Sequence, residues 1–281
     1  MGDEPSPTSN SSVTGEFVLM RGYIDESYGP RQNVFAWSCL IARLKDWSEL
    51  ERKWKLHLQA KNRELQRAGR PQINRYHASD CSGRRGDFKG WTHDERDSFV
   101  LGLFEIFKQI PIHTAAFDIQ LDDVCDVFPE WASDRLEAGY GILTLFLMDL
   151  IGDDFARFAP GSKVRISLFH DRTGGNGKYD STILRSFNQQ LNDPGFGYKD
   201  LFTTIEPRSW DQCIALQPAD LGAFECFKVA EAKLDGRKPR KSFEKLLDME
   251  AFGIHYKNFP KKAVQRMREV LELQKQAAGR V

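Results

Sequence analysis

The chain has no surplus of charge, because its 40 Lys and Arg residues balance its 40 Asp and Glu residues. This balance argues against a polycation that coats nucleic acid without specificity, although it leaves room for a local basic groove. The five cysteines are odd in number and form no CxxC pair, which argues against a structural zinc site or a disulfide framework. No stretch reaches the ~18 consecutive apolar residues of a membrane span. We therefore expect a soluble cytoplasmic protein with no membrane partner.

The first 15 residues are polar, without the basic start and apolar run of a signal peptide, and we expect them to form a disordered leader. Residues 16–236 alternate strand and helix patterns with no internal repeat, which predicts one α/β domain with a mixed sheet flanked by helices. Residues 237–281 are expected to form a C-terminal helical extension. That extension is also the candidate surface for a homodimer.

The spacing of apolar residues predicts where the strands and helices lie. Strands are predicted at 17–27, 33–43, 73–78, 112–121, 163–169 and 201–205. Helices are predicted at 47–68, 134–151, 178–191 and 218–234, over most of 241–276, and from Thr92 until the break at Pro111. The short Gly29-Pro30 connection predicts an antiparallel hairpin between the first two strands, and Thr92 with Glu95 has the spacing of a capping box.

The first strand, FVLMRGYIDES from Phe17 to Ser27, organises the rest of the chain. It is nearly continuous in apolar residues, as in a strand that is covered on both faces, and it then ends in Asp25 and Glu26. Strand alternation places Asp25 on the face of Tyr23 and Glu26 on the opposite face. Ligands of α/β proteins commonly bind at such strand ends. The alternative is that both acids only begin a turn.

Two later acids are candidate partners of Asp25. Asp171 ends the strand at 163–169 and precedes a glycine-rich turn, which fails the P-loop pattern because Arg172 stands where the first glycine belongs. Asp220 is the one acid among the apolar residues that begin a late helix, where a carboxylate needs a metal or a donor to compensate it. Its ordinary interpretation is an acid that complements the helix dipole. His77, three residues before Asp80, is a further candidate base or metal ligand.

Several short motifs occur together in a familiar order: YIDES at Tyr23–Ser27, HASD at His77–Asp80, Asp171 at a strand end, and QPADL at Gln217–Leu221. This set resembles the bacterial "domain of unknown function 3800" family, which is similar to ribonuclease H-like proteins. The resemblance covers approximately residues 17–233, and the order of the motifs carries its specificity.

The resemblance implies a ribonuclease H-like fold whose first strand is central. It implies that Asp25, Asp171 and Asp220 meet at one edge and hold metal, with Glu26 and His77 as further catalytic candidates. Mg²⁺ or Mn²⁺ suits such oxygen ligands, and two ions ~4 Å apart would support phosphodiester hydrolysis. Basic residues would then hold a nucleic acid partner. The candidates, chosen by proximity in sequence, are Arg21, Arg84, Arg85, Lys89 and Arg172.

Two hypotheses of different class follow. The first is a divalent-metal-dependent nuclease, which the position of three acids at element ends favours. The second is a catalytically inactive ribonuclease H-like module that binds nucleic acid or protein, which the neutral net charge favours. A phosphotransferase of the sugar-kinase type would need duplicated halves, and the chain shows no internal repeat.

Overall fold

The computed structural model describes residues 17–158, 163–173, 176–240 and 254–278. A single six-stranded mixed sheet lies at its centre. The strands are β1 (Val18–Gly29), β2 (Val34–Arg43), β3 (His113–Gln120), β4 (Val164–Asp171), β5 (Phe202–Arg208) and β6 (Ile254–Phe259). Their order across the sheet is β5-β4-β1-β2-β3-β6. The predicted α/β fold with a mixed sheet is therefore confirmed.

Two antiparallel pairings form one half of this sheet, and the first of them is the hairpin that the sequence predicts. β1 pairs antiparallel with β2, and β2 pairs antiparallel with β3. β4 then crosses back to lie parallel to β1, and β5 lies parallel to β4. β1 is thus an interior strand with β2 on one side and β4 on the other. Only Gly22, Tyr23 and Ile24 in its middle are buried, whereas Val18 and Leu19 at its start are exposed, so the predicted cover on both faces holds for only part of the apolar run.

Helices cover both faces of the sheet. They are α1 (Leu44–Arg67), α2 (Ala78–Gly83), α3 (His93–Phe107), α4 (Leu121–Val127), α5 (Arg135–Phe158), α6 (Asp180–Asn192), α7 (Leu216–Leu234) and α8 (Lys261–Ala278). The apolar residues of α1, α3 and α7 pack on one face with Tyr23 and Leu40. Those of α4, α5, α6 and α8 pack on the other face with Ile24 and Trp37. Alternate residues of one strand therefore serve two separate cores.

The helix that begins at Thr92 has the predicted start. The Thr92 hydroxyl accepts from the Glu95 amide at 3.1 Å, and the Glu95 carboxylate accepts from the Thr92 amide at 3.0 Å. Both bonds of a capping box are present. None of the described helices is both long and apolar enough to cross a lipid bilayer.

Three predictions about local structure are wrong. Residues 73–78 form no strand, because Ile73 and Tyr76 are buried by helices rather than by strand pairing, and α2 starts at Ala78. The short helix α4 lies where only the end of a strand was predicted. The C-terminal segment is not helical throughout, since β6 pairs in parallel with β3 at the edge of the sheet. The predicted leader and much of the predicted C-terminal helix, from 241 to 253, lie outside the described residues.

Candidate carboxylate site

Asp25 lies within β1, which continues to Gly29 instead of ending at the acids as the sequence predicted, whereas Asp171 is the last residue of β4. The two acids come level with each other because these strands are parallel. Their pairing matches Tyr23 with Phe169 and Ile24 with His170, so the next residues, Asp25 and Asp171, stand side by side. Both continue the face that packs against α7. A third acid reaches the same place from that helix, Asp220, which is only 9% exposed.

A glycine brings α7 close to the sheet. Gly222 lies over Ser38, the β2 residue that pairs with Asp25, and a Cβ atom at position 222 would stand 2.3 Å from the Ser38 hydroxyl oxygen. The missing side chain allows this approach. The helix residue two positions earlier is Asp220. The close approach of α7 to β2 places the first turns of the helix, which carry Asp220, beside β1.

These acids share one cavity of about 290 Å³. Its walls come from two residues within β1, the segment before α2, the end of β4, the loop after β5 and the start of α7. The lining residues are Asp25, Glu26, Arg75, Tyr76, His77, Asp171, Arg172, Trp210, Leu216, Gln217 and Asp220. All five site residues that the sequence predicted, including Glu26 and His77, therefore line the same cavity, although the chain separates its first and last acids by almost 200 residues.

The four carboxylates take hydrogen bonds from neutral donors. The Glu26 amide donates to Asp25 at 2.7 Å, and the Ala78 amide donates to Asp220 at 2.7 Å. The Arg172 amide donates to Asp171 at 2.9 Å. Glu26, on the opposite side of its strand, accepts from the Tyr140 hydroxyl of α5 at 2.6 Å. These donors fix the orientation of each carboxylate but bring no positive charge.

Burial and mutual repulsion raise the pKa values of the carboxyl groups in this cluster. Loss of hydration, with the charges of Asp220, Glu26 and Asp171, raises the pKa of Asp25 well above its usual range. Loss of hydration raises the pKa of Glu26 to about 7, against the opposing effect of the Tyr140 hydroxyl. It also raises the pKa of Asp220 to about 6, while His77, the Ala78 amide and Arg75 oppose the rise. The pKa of Asp171 is raised by the same cause.

His77 is oriented by a residue that does not itself line the cavity. Its Nδ1 atom lies 2.8 Å from a carboxylate oxygen of Asp80, so the imidazole is held by the acid three residues later in the HASD motif.

Gln217, the first residue of the QPADL motif, has a structural role. Its side-chain oxygen accepts from Trp54 Nε1 and from the Tyr76 amide, each at 3.0 Å, which ties α1 and the segment before α2 to the start of α7.

The sequence did not single out two residues at the mouth of the cavity. The Arg75 guanidinium lies 3.8 Å from the ring centroid of Trp210, and Trp210 is 40% exposed. Both lie in irregular segments, where no hydrophobic period marks them. Of the basic candidates named from the sequence, Arg172 lines the cavity, whereas Arg84 donates to the Trp91 carbonyl oxygen and Arg85 lies 3.7 Å from Asp80.

The donor set suits a hard divalent cation in its chemistry, because it consists of carboxylates that repel one another, and no described residue gives them a charged partner at hydrogen-bond distance. The spacing of these donors does not suit a metal ion. In the part of the chain that the structure describes, no three His, Cys, Asp or Glu side chains are arranged so that they could hold a metal ion. The carboxylates share a cavity, but they do not form a ready-made ligand shell.

Comparison with known proteins gives no family. No family model, no curated protein sequence and no solved structure matches the chain. The fold and the cavity are therefore interpreted from their own chemistry.

Proposed function

We propose that the chain is a divalent-metal-dependent nuclease with a ribonuclease H-like fold. One observation carries the proposal: acids from β1, β4 and α7, remote in sequence, line one cavity together with two arginines. The interior position of β1 and the place of each acid agree with what the resemblance to the domain of unknown function 3800 family implies. The protein would act on nucleic acid in the cytoplasm, where its five free thiols would stay reduced.

In this proposal Asp25, Asp171 and Asp220 would hold Mg²⁺ or Mn²⁺ only after their side chains rearrange, because the described residues offer no ready-made metal-binding group. The ion, when bound, would polarise the phosphodiester and lower the pKa of water. Arg75 and Arg172 would bind the non-bridging phosphate oxygens. His77, held by Asp80 through Nδ1, could exchange a proton with the substrate or water at Nε2.

The test is cleavage of single- and double-stranded RNA and DNA with Mg²⁺ or Mn²⁺. The wild type is compared with Asp25→Asn and Asp220→Asn, and with Asp200→Asn as a control whose side chain is 90% exposed and lies outside the cavity. We expect metal-dependent cleavage that both cavity variants lose and the control keeps. No cleavage by any form, together with no rise in melting temperature on addition of metal, would reject the proposal.

The second candidate function is a catalytically inactive module that binds nucleic acid or protein. The spacing of the described acids favours it, because they are not arranged to hold a metal ion. The same assay separates the two functions, since a binding module would retain nucleic acid without cleaving it. Self-association through the C-terminal segment stays a separate proposal, which sedimentation of the full chain would test.

A further inference from the structure

At the mouth of the carboxylate cavity, an arginine side chain stacks on a tryptophan ring. The Arg75 guanidinium stacks 3.8 Å from the Trp210 ring centroid, and the described residues give it no ion pair. Its charge acts to lower the pKa values of Asp171 and Asp220, but its donors make no hydrogen bond to a described residue, while Trp210 keeps 40% of its surface exposed. An exposed tryptophan beside an unpaired arginine suits a planar ligand that carries a phosphate.

A second groove of about 430 Å³ lies beside the cavity on the same face of the sheet. It is lined by Tyr23 and Phe169, each two residues before an acid of the cavity, which is a distance of ~7 Å along a strand. The loop between β5 and α7 also joins the two spaces. It contributes Trp210 to the cavity and Cys213 with its neighbours to the groove.

The groove is basic and only moderately so. The guanidinium groups of Arg21 and Arg208 lie 5.6 Å and 5.1 Å from the Phe169 ring centroid, and both side chains belong to exposed residues. Its charged lining comprises Arg21, Lys55 and Arg208 against Glu51 and Asp211, and Arg208 also forms an ion pair with Glu206 at 2.7 Å, which a phosphate would have to share or displace. The net positive charge is small, so we expect binding that is weak and sensitive to salt.

We propose that the Arg75–Trp210 stack and the Arg21–Arg208 groove bind single-stranded nucleic acid. An unpaired base lies against Trp210, and phosphates bind Arg75, Arg21 and Arg208. A duplex hides its base faces within the stack, whereas a single strand exposes them to aromatic and guanidinium planes. The inference that the strand runs toward the acids rests on the proposed nuclease function, but the binding itself needs no metal.

The experiment measures fluorescence anisotropy of labelled 12-nucleotide oligo(dT), oligo(U) and a 12-base-pair DNA duplex, with the full chain in EDTA. The variants are Trp210→Ala, Trp210→Phe and Arg208→Ala. Arg266→Ala is the matched control, because this exposed arginine belongs to α8 on the opposite face of the sheet. Circular dichroism melting confirms that each variant is folded, as expected for exposed positions.

We expect tighter binding of both single strands than of the duplex. Trp210→Ala should weaken single-strand binding ~5- to 150-fold, the effect of one stacked base, while Trp210→Phe keeps most of the affinity. Arg208→Ala should lower the slope of log K against log salt by ~0.7, the value for one phosphate contact on a single strand. A preference between oligo(dT) and oligo(U) would identify the natural polymer.

Equal affinity for duplex and single strands, or losses no larger than those of Arg266→Ala, would overturn the inference. Cleavage without this binding pattern would leave the proposed nuclease standing and remove only the single-strand track. The binding pattern without cleavage by any form, and without a rise in melting temperature on addition of metal, would reject the nuclease and support single-strand binding. The two proposals therefore fail in different ways.

Discussion

Replacing Asp220 by asparagine should stabilise the metal-free protein at neutral and alkaline pH. Burial raises the pKa of Asp220 to about 6 from an ordinary value of 3.8. At 1.36 kcal/mol per pKa unit, the ionised carboxylate lowers the free energy of unfolding by up to ~3 kcal/mol. Asparagine has nearly the same shape and still offers an oxygen to the Ala78 amide, so the hydrogen bond at 2.7 Å is retained.

The direction of the pH dependence follows from the raised pKa. The native protein binds the Asp220 proton more tightly than the unfolded chain does, so this carboxyl group favours folding fully below pH ~4. That stability is lost as pH rises from ~4 to about 6. Asp220→Asn should therefore exceed the wild type most at pH 8, by about 6–10 °C in melting temperature, and least at pH 4.5.

Thermal unfolding in EDTA across this pH range tests the prediction. Asp118→Asn is the contrasting variant, since buried Asp118 lies outside the cavity and accepts from the Tyr256 hydroxyl and from Asn258 Nδ2. The NH₂ group of the new asparagine would point at one of these two donors, so a hydrogen bond is lost. This variant should therefore destabilise the protein at every pH. An Asp220→Asn protein that is less stable than the wild type at pH 8, with an unchanged pH dependence, would refute the reasoning.

Three further predictions address the supports of the site. Tyr140→Phe removes the hydroxyl that donates to Glu26, so the pKa of Glu26 should rise above about 7 and the acidic limb of a pH–rate profile should move upward; an unchanged profile would contradict this. Gly222→Ala places a methyl group 2.3 Å from the Ser38 hydroxyl, so denaturant unfolding should show a loss of ~1–3 kcal/mol, and cleavage should weaken; full stability would show that α7 does not depend on this contact. Thr92→Ala removes the cap of α3 and should cost ~1 kcal/mol in the same assay without affecting cleavage, in contrast to Gly222→Ala.

The parts of the fold that local chemistry decides could be predicted from the sequence. The apolar run of β1 and the capping box at Thr92 each specify their element from neighbouring residues alone. The placement of β6 could not be predicted, because its pairing with β3 joins segments about 140 residues apart. Residues 73–78 have the apolar spacing of a strand, yet tertiary contacts decide their conformation. The Tyr76 amide bonds to Gln217 rather than to a neighbouring strand.

The same distinction applies to the site. Asp25 and Asp171 can be recognised in the sequence as acids that follow apolar segments, and the parallel pairing of β1 with β4 then places them side by side. No sequence pattern identifies Arg75 and Trp210, because each lies in an irregular segment and their stacking arises only when two loops meet. The residues that surround the acids therefore had to come from the structure, although the acids themselves could be proposed from the sequence.

The charge of the cavity links its stability to its proposed chemistry. With pKa values of about 6 for Asp220 and about 7 for Glu26, protons neutralise much of the cluster under mildly acidic conditions and leave as pH rises through these two values. The carboxylates must then either bear their mutual repulsion or acquire another cation. A divalent ion present at 100 times its Kd would add ~2.7 kcal/mol to the free energy of unfolding. That gain nearly equals the ~3 kcal/mol that ionised Asp220 costs. The wild type and Asp220→Asn should therefore approach each other in stability when Mn²⁺ is added at pH 8, because only the wild type has the full set of carboxylates to bind it.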